Sequence, residues 1–484
     1  MILGSLLWVA QAMENTVNTD QKQVLELIQK ARQAQADYEQ HGSQALYHRA
    51  AKAVAWALME PNRNQAFSEM AVRDTTLGNV KDKVTKNYRK TLGVLRDLSL
   101  ATSYGVVERD VNKGITTLAR AKGVIGAVVP STNPVATPTN NIINAVFCGN
   151  AIILAPSPKG QDVCEALIAA VRNEFDKIGV SRDLVQMLPQ PASKVKTQVL
   201  MENVDLLVVT GSQDNVRRAY TSGTPALGVG AGNVSVIIDE TADPVAAAKK
   251  IVASKSFDNA TSCSSENALI IVDAAYDEVL ASLQSEGAYL LDETAATALK
   301  SALFLENGLN RDLIAKDAVT LLKRTGITLD KQQATPKVLL IQGQGIGKGY
   351  VESGEKLSPV TTVYRASDFD QAQSLAADLL NYIGAGHSVG LHSEKLERAE
   401  YIAQHLPTSR VIVNQAHCFA TGGAFNNGLP FSLSMGCGSW GGNSIDENLN
   451  YKHYMNLSKV VVPIAGEEPS LESLLGDYWK EVGH

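Results

Sequence analysis

Cysteine is scarce in this chain, which has five cysteines among 484 residues. They are Cys148, Cys164, Cys263, Cys418 and Cys437. No two form a Cys-x-x-Cys pair, and the cysteine and histidine positions lack the spacing of zinc ligands. An odd set of unpaired thiols also argues against a disulfide framework. We therefore expect no metal site and a reducing compartment, the cytoplasm.

An excess of one charge sign is also missing. The 44 basic and 50 acidic residues give a formal net charge of -6, and both signs are interspersed. No extended positive field is available to hold nucleic acid or an anionic membrane. We therefore expect small molecules as partners.

Long apolar runs are lacking except at the N-terminus. Residues 2–10 are apolar, and Ala10-Gln11-Ala12 resembles a signal-peptidase site, but no Lys or Arg precedes the run. We favour an extension over residues 1–18 that arises from an upstream start codon, with Met13 opening the native chain; a signal peptide is the alternative. No other run approaches the ~18 residues of a membrane span.

The composition that is present is that of a globular protein, with 45% hydrophobic and 19% charged residues. The length predicts two or three domains at roughly 150 residues each. Apolar residues recur at helical spacing over residues 19–99, which predicts several helices. Residues 102–121 are predicted to form an exposed hairpin around Asn112-Lys113-Gly114, suited to an oligomerisation arm.

Strands and helices alternate in the rest of the chain. The first series has predicted strands at 124–129, 151–154, 184–188 and 204–209, and helices at 140–147, 163–178 and 215–220. A second series has strands near 234–238, 268–272, 338–341, 361–364, 388–392 and 410–413. Such alternation predicts parallel βαβ units and an α/β fold. A nucleotide site is then expected at the carboxyl ends of the strands.

Cys263 is the candidate nucleophile. It lies in the polar stretch Thr261-Ser262-Cys263-Ser264-Ser265, where neighbouring amides and hydroxyls can stabilise a thiolate. Composition alone leaves a structural cysteine equally open. Cys148 and Cys164 lie in apolar helical patterns and are predicted core residues.

Five segments carry a family resemblance: GAVVPSTNP (126–134), Thr210-Gly211-Ser212, Phe257-Asp258-Asn259 with Cys263, EKLSPV (355–360) and GCGSWGGNS (436–444). They follow the order found in CoA-acylating aldehyde dehydrogenases, which the chain resembles over residues 20–460. The resemblance implies an aldehyde dehydrogenase-like fold with a Rossmann-like cofactor domain at 19–232, which includes the arm hairpin. It also implies an α/β catalytic domain at 233–430, and residues 431–484 that return to the cofactor domain and complete the β oligomerisation arm. A homodimer or homotetramer is implied as well.

The resemblance implies a covalent mechanism at Cys263. Its thiolate would add to an aldehyde, and the Asn133 side chain with the Cys263 backbone N–H would bind the oxygen of the thiohemiacetal. Hydride would then leave to a nicotinamide cofactor, and an acyl-thioester would remain. Without the resemblance, a loop-capping role is the favoured interpretation of Asn133, which precedes Pro134, because Asn is a common turn former.

The residue at position 229 departs from the hydrolytic members of the family. Those enzymes carry a glutamate that activates water, and Val229 corresponds to it. Valine accepts no proton, and a general base typically contributes ~10²–10⁴-fold. Thioester transfer to coenzyme A is therefore expected to outrun hydrolysis.

Two histidines are candidates for the thiol-transfer site. His387 resembles a family histidine near the nicotinamide and the thiol, where it would protonate or position the CoA sulfur. A structural hydrogen-bonding role is the alternative. His417 is expected near the substrate mouth, as a specificity residue.

The resemblance assigns a set of cofactor-binding residues: Ser131, Thr132, Ser157, Lys159, Gly211, Ser212, Gly230, Ala231 and Glu355. Related NAD enzymes often carry an acid near positions 157–159 that repels a 2′-phosphate. Ser157 and Lys159 favour NADP instead, with NAD as the alternative. Glu355 resembles the glutamate that accepts hydrogen bonds from the nicotinamide ribose; an ordinary surface acid is the alternative.

The substrate is expected to be a small anionic aldehyde. Residues 414–423, 426–431 and 447–453 resemble family members that act on sulfoacetaldehyde, with succinate semialdehyde as the alternative. An anion needs a cation or several N–H donors. Lys83, Lys86, Asn87 and Lys90 stand at helical spacing, and Lys86 and Asn87 are predicted substrate ligands. A solvated charged face is the competing interpretation.

Two other functions stay open. One is a non-acylating aldehyde dehydrogenase that recruits water through other groups. The other is a redox-silent cysteine acyltransferase or scaffold. Cofactor reduction with an aldehyde, measured with and without CoA, separates all three.

Overall fold

A computed structural model describes residues 2–306, 308–329 and 335–483. The chain opens with four helices, α1 (Ile2–Gln40), α2 (Gln44–Met59), α3 (Pro61–Thr75) and α4 (Val80–Leu98). Ser43 and Asn79 cap α2 and α4 by accepting a backbone N–H, because the first amides of a helix have no partner within it. Within the described part of the chain, no helix combines the length and apolarity needed to cross a bilayer.

The first large sheet has five parallel strands. Its elements are β3 (Val124–Val129), α5 (Ala136–Phe147), β4 (Ala151–Pro156), α6 (Gln161–Asp176), β5 (Val185–Met187), α7 (Lys194–Asn203), β6 (Leu206–Val209), α8 (Gln213–Thr221) and β7 (Ala226–Gly228); the hairpin strands β1 (Gly105–Asp110) and β2 (Ile115–Ala121) precede them. The strand order is β5-β4-β3-β6-β7. The order reverses between β3 and β6, and a doubly wound sheet binds nucleotides at such a point.

The second large sheet has seven parallel strands, in the order β10-β13-β14-β9-β8-β15-β16. Its elements are β8 (Val234–Ile238), α9 (Pro244–Ser256), β9 (Glu266–Val272), α10 (Asp273–Ser285), β10 (Ala288–Leu290), α11 (Glu293–Leu303), β11 (Phe304–Leu305), β12 (Gly308–Leu309), α12 (Ala318–Thr325), β13 (Val338–Gln342), β14 (Val360–Ala366), α13 (Phe369–Tyr382), β15 (Val389–His392), α14 (Leu396–His405) and β16 (Val411–Val413). Strands β8 and β9 are buried along their whole length, as expected of a parallel sheet covered by helices on both faces.

The chain then ends with α15 (His417–Ala420), β17 (Met455–Val461) and α16 (Leu471–Val482). Strand β17 pairs antiparallel with β2, and β2 pairs with β1. These strands form a three-stranded sheet in which every residue of β17 after Met455 is exposed. The predicted hairpin is therefore present and receives a third strand from the end of the chain.

The α/β class with parallel sheets is confirmed. All ten predicted strands are present, with bounds that shift by three residues or fewer at either end. The sequence pattern missed short strands such as β7 and β10, because three residues are too few to show a periodicity.

Candidate active site

Cys263 follows a strained turn. Helix α9 ends at Ser256, and Phe257–Ala260 forms a single 3-10 turn before the cysteine. Asp258, Asn259 and Ala260 all have left-handed backbone angles, with φ of 47°, 52° and 57°. Three consecutive non-glycine residues in this region are costly, so contacts outside the turn must hold it.

The carboxylate of Asp258 provides those contacts. It is fully buried and accepts hydrogen bonds from the Asn79 backbone N–H at 2.9 Å and from the Thr261 hydroxyl at 2.7 Å. It also pairs with the ammonium groups of Lys83, at 3.1 Å, and Lys86. Burial alone would raise the pKa of Asp258, but the two lysines outweigh it and hold the pKa below its usual value. Helix α4 and the cysteine turn are thus joined through one buried anion.

A cavity of about 40 Å³ opens beside this network. Its lining includes Lys86, Arg89, Lys90, Asn133, Ser262, Phe257, Phe419 and Phe431. Arg89 stacks on the Phe419 ring at 5.2 Å and pairs with no carboxylate in the described part of the chain. The Lys90 ammonium donates to the Gly422 carbonyl at 2.6 Å, and burial lowers its pKa to about 7. Arg89 thus gives the cavity one guanidinium that no carboxylate of the described residues neutralises, and Lys90 is about half protonated at pH 7.

The interpretation of this part of α4 as a solvated charged face is corrected by the geometry, because Lys83 and Lys86 are buried. The Asn87 amide nitrogen donates to Asn64 and Ser68 of α3, at 3.0 and 3.2 Å, and Asn87 is not among the residues that line the cavity. Its role as a substrate ligand stays a prediction. Arg89 was not predicted, because helical spacing alone did not show how far the cavity reaches around α4.

Asn133 lies in the loop between β3 and α5 and lines the same cavity. Its side-chain oxygen accepts a hydrogen bond from the Lys86 ammonium at 2.8 Å. Its side-chain nitrogen has no hydrogen-bond partner within the described ranges. Ser262, next to Cys263, lines the cavity as well, so the amide and the cysteine turn share one space.

The segment 228–233 closes against the cysteine. A Cβ at position 232 would lie 2.1 Å from the Cys263 carbonyl oxygen, so only glycine fits there. A Cβ at position 230 would lie 2.7 Å from the sulfur of Cys437. Val229 is buried, and the segment carries no acidic or basic side chain. The segment places backbone atoms beside Cys263 and supplies no ionisable side chain that could act as a general base.

Burial sets the protonation of the site. Burial, followed by the nearby Glu355 and Cys437, raises the pKa of the Cys263 thiol to about 12. Burial also raises the pKa of Glu355 to about 7, against the opposing effect of Lys255 and Lys356. Without ligands, the thiol is therefore protonated at neutral pH.

The two predicted histidines belong to one buried chain of hydrogen bonds. His387 Nδ1 lies 2.8 Å from the Ser388 hydroxyl, which lies 2.9 Å from His417 Nε2. Burial lowers the pKa of His387 to about 3 and that of His417 well below its usual value, so both rings are neutral. His387 Nε2 has no partner among the described residues. His417 is 1% exposed and does not line the cavity beside α4; its role as a specificity residue stays a prediction.

The predicted cofactor residues gather at the carboxyl ends of the first sheet. Ser131 and Thr132 follow β3, Ser157 and Lys159 follow β4, and Gly211 and Ser212 follow β6; Gly230 and Ala231 lie between the two sheets. The buried Ser157 hydroxyl has no hydrogen-bond partner among the described residues. A Cβ at Gly211 would meet nothing within 4 Å. An unsatisfied hydroxyl and open space at the switch point of a doubly wound sheet fit a dinucleotide.

Comparison with known proteins adds to this picture. The sequence model described as the aldehyde dehydrogenase family matches residues 10–291. The sulfoacetaldehyde dehydrogenase (acylating) of Cupriavidus necator is 52% identical over 95% of this chain and 93% of its own length. The succinate-semialdehyde dehydrogenase (acetylating) of Clostridium kluyveri is 35% identical over 90% and 95%. The crystal structure of an acetylating aldehyde dehydrogenase from Geobacillus thermoglucosidasius superposes with a TM-score of 0.89 at 30% identity, over 94% of this chain and 99% of that one.

The raised pKa of Cys263 gives a testable pH dependence. Below its pKa, the thiolate fraction rises about tenfold for each pH unit. We therefore expect the rate of alkylation of the free protein by iodoacetamide to rise about tenfold per unit between pH 7 and pH 9 without a plateau. The rate is measured by mass spectrometry at the Cys263 peptide, with Cys263→Ala as the control for the other thiols. A plateau below pH 9 contradicts the assignment.

Proposed function

Because this chain belongs to the aldehyde dehydrogenase family, we propose that it catalyses the NADP-dependent, CoA-acylating oxidation of sulfoacetaldehyde. Its relatives are acylating aldehyde dehydrogenases at up to 52% identity, and it is an enzyme of that kind. Sulfoacetaldehyde as the substrate, NADP as the cofactor and the roles of the catalytic residues are proposals. Residues 19–232 would form the cofactor domain and residues 233–430 the catalytic domain.

The cavity beside Cys263 is the observation that carries the substrate assignment. Arg89 and Lys90 line the cavity together with Asn133 and Ser262. In sulfoacetaldehyde, one methylene separates the aldehyde carbon from the sulfonate, so the anion must be bound close to the reacting thiol. A guanidinium free of carboxylates binds a sulfonate by charge-assisted hydrogen bonds. Succinate semialdehyde, with two methylenes before its carboxylate, is the alternative.

The proposed reaction begins at Cys263. Its thiolate adds to the aldehyde carbon, and the electron pair of the C=O bond moves to the oxygen. The Asn133 amide and the Cys263 N–H stabilise that alkoxide. The residues of the proposed cofactor site would hold NADP⁺, which would supply the hydride acceptor; loss of hydride from the thiohemiacetal carbon as the C=O bond re-forms would leave a thioester on Cys263. The CoA thiolate then attacks the carbonyl carbon and releases the Cys263 thiolate.

Val229 supports transfer to CoA over hydrolysis. A valine in the segment that closes on Cys263 cannot activate water. His387, neutral and with a free Nε2, would accept a hydrogen bond from the incoming CoA thiol and so position its sulfur. Glu355, whose pKa is near 7, would bind the nicotinamide ribose.

Ser157 and Lys159 support NADP. Both follow β4, and neither position carries an acid that would repel a 2′-phosphate. Lys316 lies near enough to Lys159 that the two charges influence each other, and Asp312 and Asp317 act on Lys316 in the opposite direction. Ser131, Thr132, Gly211, Ser212, Gly230 and Ala231 would line the rest of the dinucleotide site.

We also propose a cytoplasmic homodimer or homotetramer that assembles through the arm. Leu457, Val460 and Val461 of β17 are at least half exposed. An exposed apolar edge of this kind is typical of a protein interface. All five cysteines are free, which is compatible with a reducing compartment.

Omission of CoA tests the proposed activity. The wild type should release one reduced cofactor per active site in a burst and then slow by at least ~100-fold, because the thioester waits for a nucleophile. Stopped-flow absorbance of the reduced cofactor measures both phases, and Val229→Glu should accelerate the slow phase. Steady turnover without CoA would contradict the acylating mechanism. It would indicate that Glu355 acts as a general base that activates water.

Removal of the Arg89 charge tests the anion site. Arg89→Met should lower kcat/KM for sulfoacetaldehyde by about 10- to 100-fold, since a hydrogen bond to a charged group is lost. The same variant should leave kcat/KM for propionaldehyde within about twofold, because that aldehyde has no anion. An equal loss of kcat/KM for both aldehydes would show that Arg89 does not bind the anionic group of the substrate.

Reversal of the charge at Lys159 tests the cofactor site. The wild type should prefer NADP to NAD, and Lys159→Glu should reverse the preference through repulsion of the 2′-phosphate. Fluorescence titration with NADPH and NADH gives both affinities independently of turnover. A wild-type preference for NAD of about tenfold, or 1.4 kcal/mol, would contradict this site.

A further inference from the structure

We propose that Lys86 is a positioning residue for Asn133: it fixes the direction of the Asn133 amide and so aims its N–H at the reacting carbonyl oxygen. This inference rests on the proposed thiohemiacetal chemistry. It replaces the prediction that Lys86 binds the substrate.

The orientation of the amide follows from the chemistry of the ammonium group. The Asn133 side-chain atom 2.8 Å from Lys86 Nζ must be the oxygen, because an ammonium group donates hydrogen bonds and accepts none. The NH₂ group then points away from Lys86. An asparagine whose two ends are otherwise easily interchanged is thus locked in one orientation.

Lys86 has no donor left for a substrate. Its ammonium group has three N–H bonds and three acceptors: the Asn133 oxygen, the Asp258 carboxylate and the Thr261 hydroxyl at 3.0 Å. The side chain is 7% exposed, so it is fixed in place by packing as well. The guanidinium of Arg89 makes no hydrogen bond to any described residue, so it remains available to bind an anion.

The same ammonium group sets both parts of the proposed oxyanion site. Asn133 comes from the loop after β3, and Thr261 lies two residues before Cys263. Lys86 contacts both, so the side-chain donor and the backbone donor are held from a common point. Its positive charge also polarises the amide, which strengthens the N–H as a donor to a developing negative charge.

Asp258 stabilises this buried arrangement. A lone buried ammonium would be strongly destabilising, but Asp258 pairs with it and with Lys83. Lys83 also donates to the Thr132 carbonyl at 3.3 Å, next to Asn133. The backbone that carries the amide is therefore tied to the same cluster.

A double-mutant cycle tests the proposal. Lys86→Met should lower kcat by about 10- to 100-fold with KM within about twofold, since an interaction made in the transition state is weakened. Asn133→Ala should lower kcat by about 10²- to 10³-fold. In the Asn133→Ala background, Lys86→Met should lower kcat by no more than about threefold, because the residue through which Lys86 acts is absent. Lys81→Met, on the exposed side of α4, is the matched control and should match the wild type.

Three outcomes would overturn the proposal. The first is a kcat of the double variant that is lowered by the product of the two single-variant factors. The second is an unchanged kcat for Lys86→Met. The third is a raised KM for sulfoacetaldehyde alone, which would make Lys86 a ligand of the substrate anion.

NADPH binding and thermal unfolding report whether each variant is folded. If Lys86→Met does not fold, Lys86→Gln keeps a neutral NH₂ group with two N–H donors, and the same comparison in both backgrounds decides. The cycle is run with propionaldehyde as well as sulfoacetaldehyde. A wild type that oxidises only propionaldehyde contradicts the proposed substrate and leaves the Lys86 comparison intact.

Discussion

The buried carboxylate of Asp258 is the interaction on which the site depends. It holds three successive left-handed residues in front of Cys263 and pairs with two ammonium groups of α4. A buried carboxylate is unfavourable unless it is paired, and so are the two lysines. The Asp82 carboxylate adjoins the same cluster and accepts a hydrogen bond from the Asp258 N–H at 2.7 Å. The backbone geometry of the cysteine turn and the positions of the two α4 lysines are thus coupled through one group.

Most of the fold could be predicted from the sequence, because parallel strands buried on both faces appear as apolar runs separated by helices. The position of Cys263 was likewise marked by its polar neighbours. The direction of side chains around α4 could not be predicted. Asn87 and Lys86 are adjacent in sequence, yet Asn87 bonds to α3 and Lys86 to Asp258. Which face of α4 meets which partner depends on contacts that are distant in the chain.

Desolvation gives the site its resting state. The same burial raises the pKa values of Cys263 and Glu355 and lowers those of His387 and His417. Each of the three catalytic candidates, the thiol, Asn133 and His387, is then neutral before ligands arrive. Such a centre attracts few stray electrophiles and oxidants, because a protonated thiol is a poor nucleophile.

The segments joined at Asp258 are synthesised far apart in time. Helix α4 and all five strands of the first sheet precede residue 258. Since domains fold as units from the N-terminus during synthesis, much of the first sheet can form while Asp258 is still being added, although Phe431, Leu449 and Tyr454 join its core only later. Lys83 and Lys86 then lack the Asp258 carboxylate and stay hydrated on a nascent chain. The cysteine turn therefore forms late, when the second sheet docks, and a chain released early from the ribosome carries only part of the proposed cofactor site and lacks the candidate nucleophile.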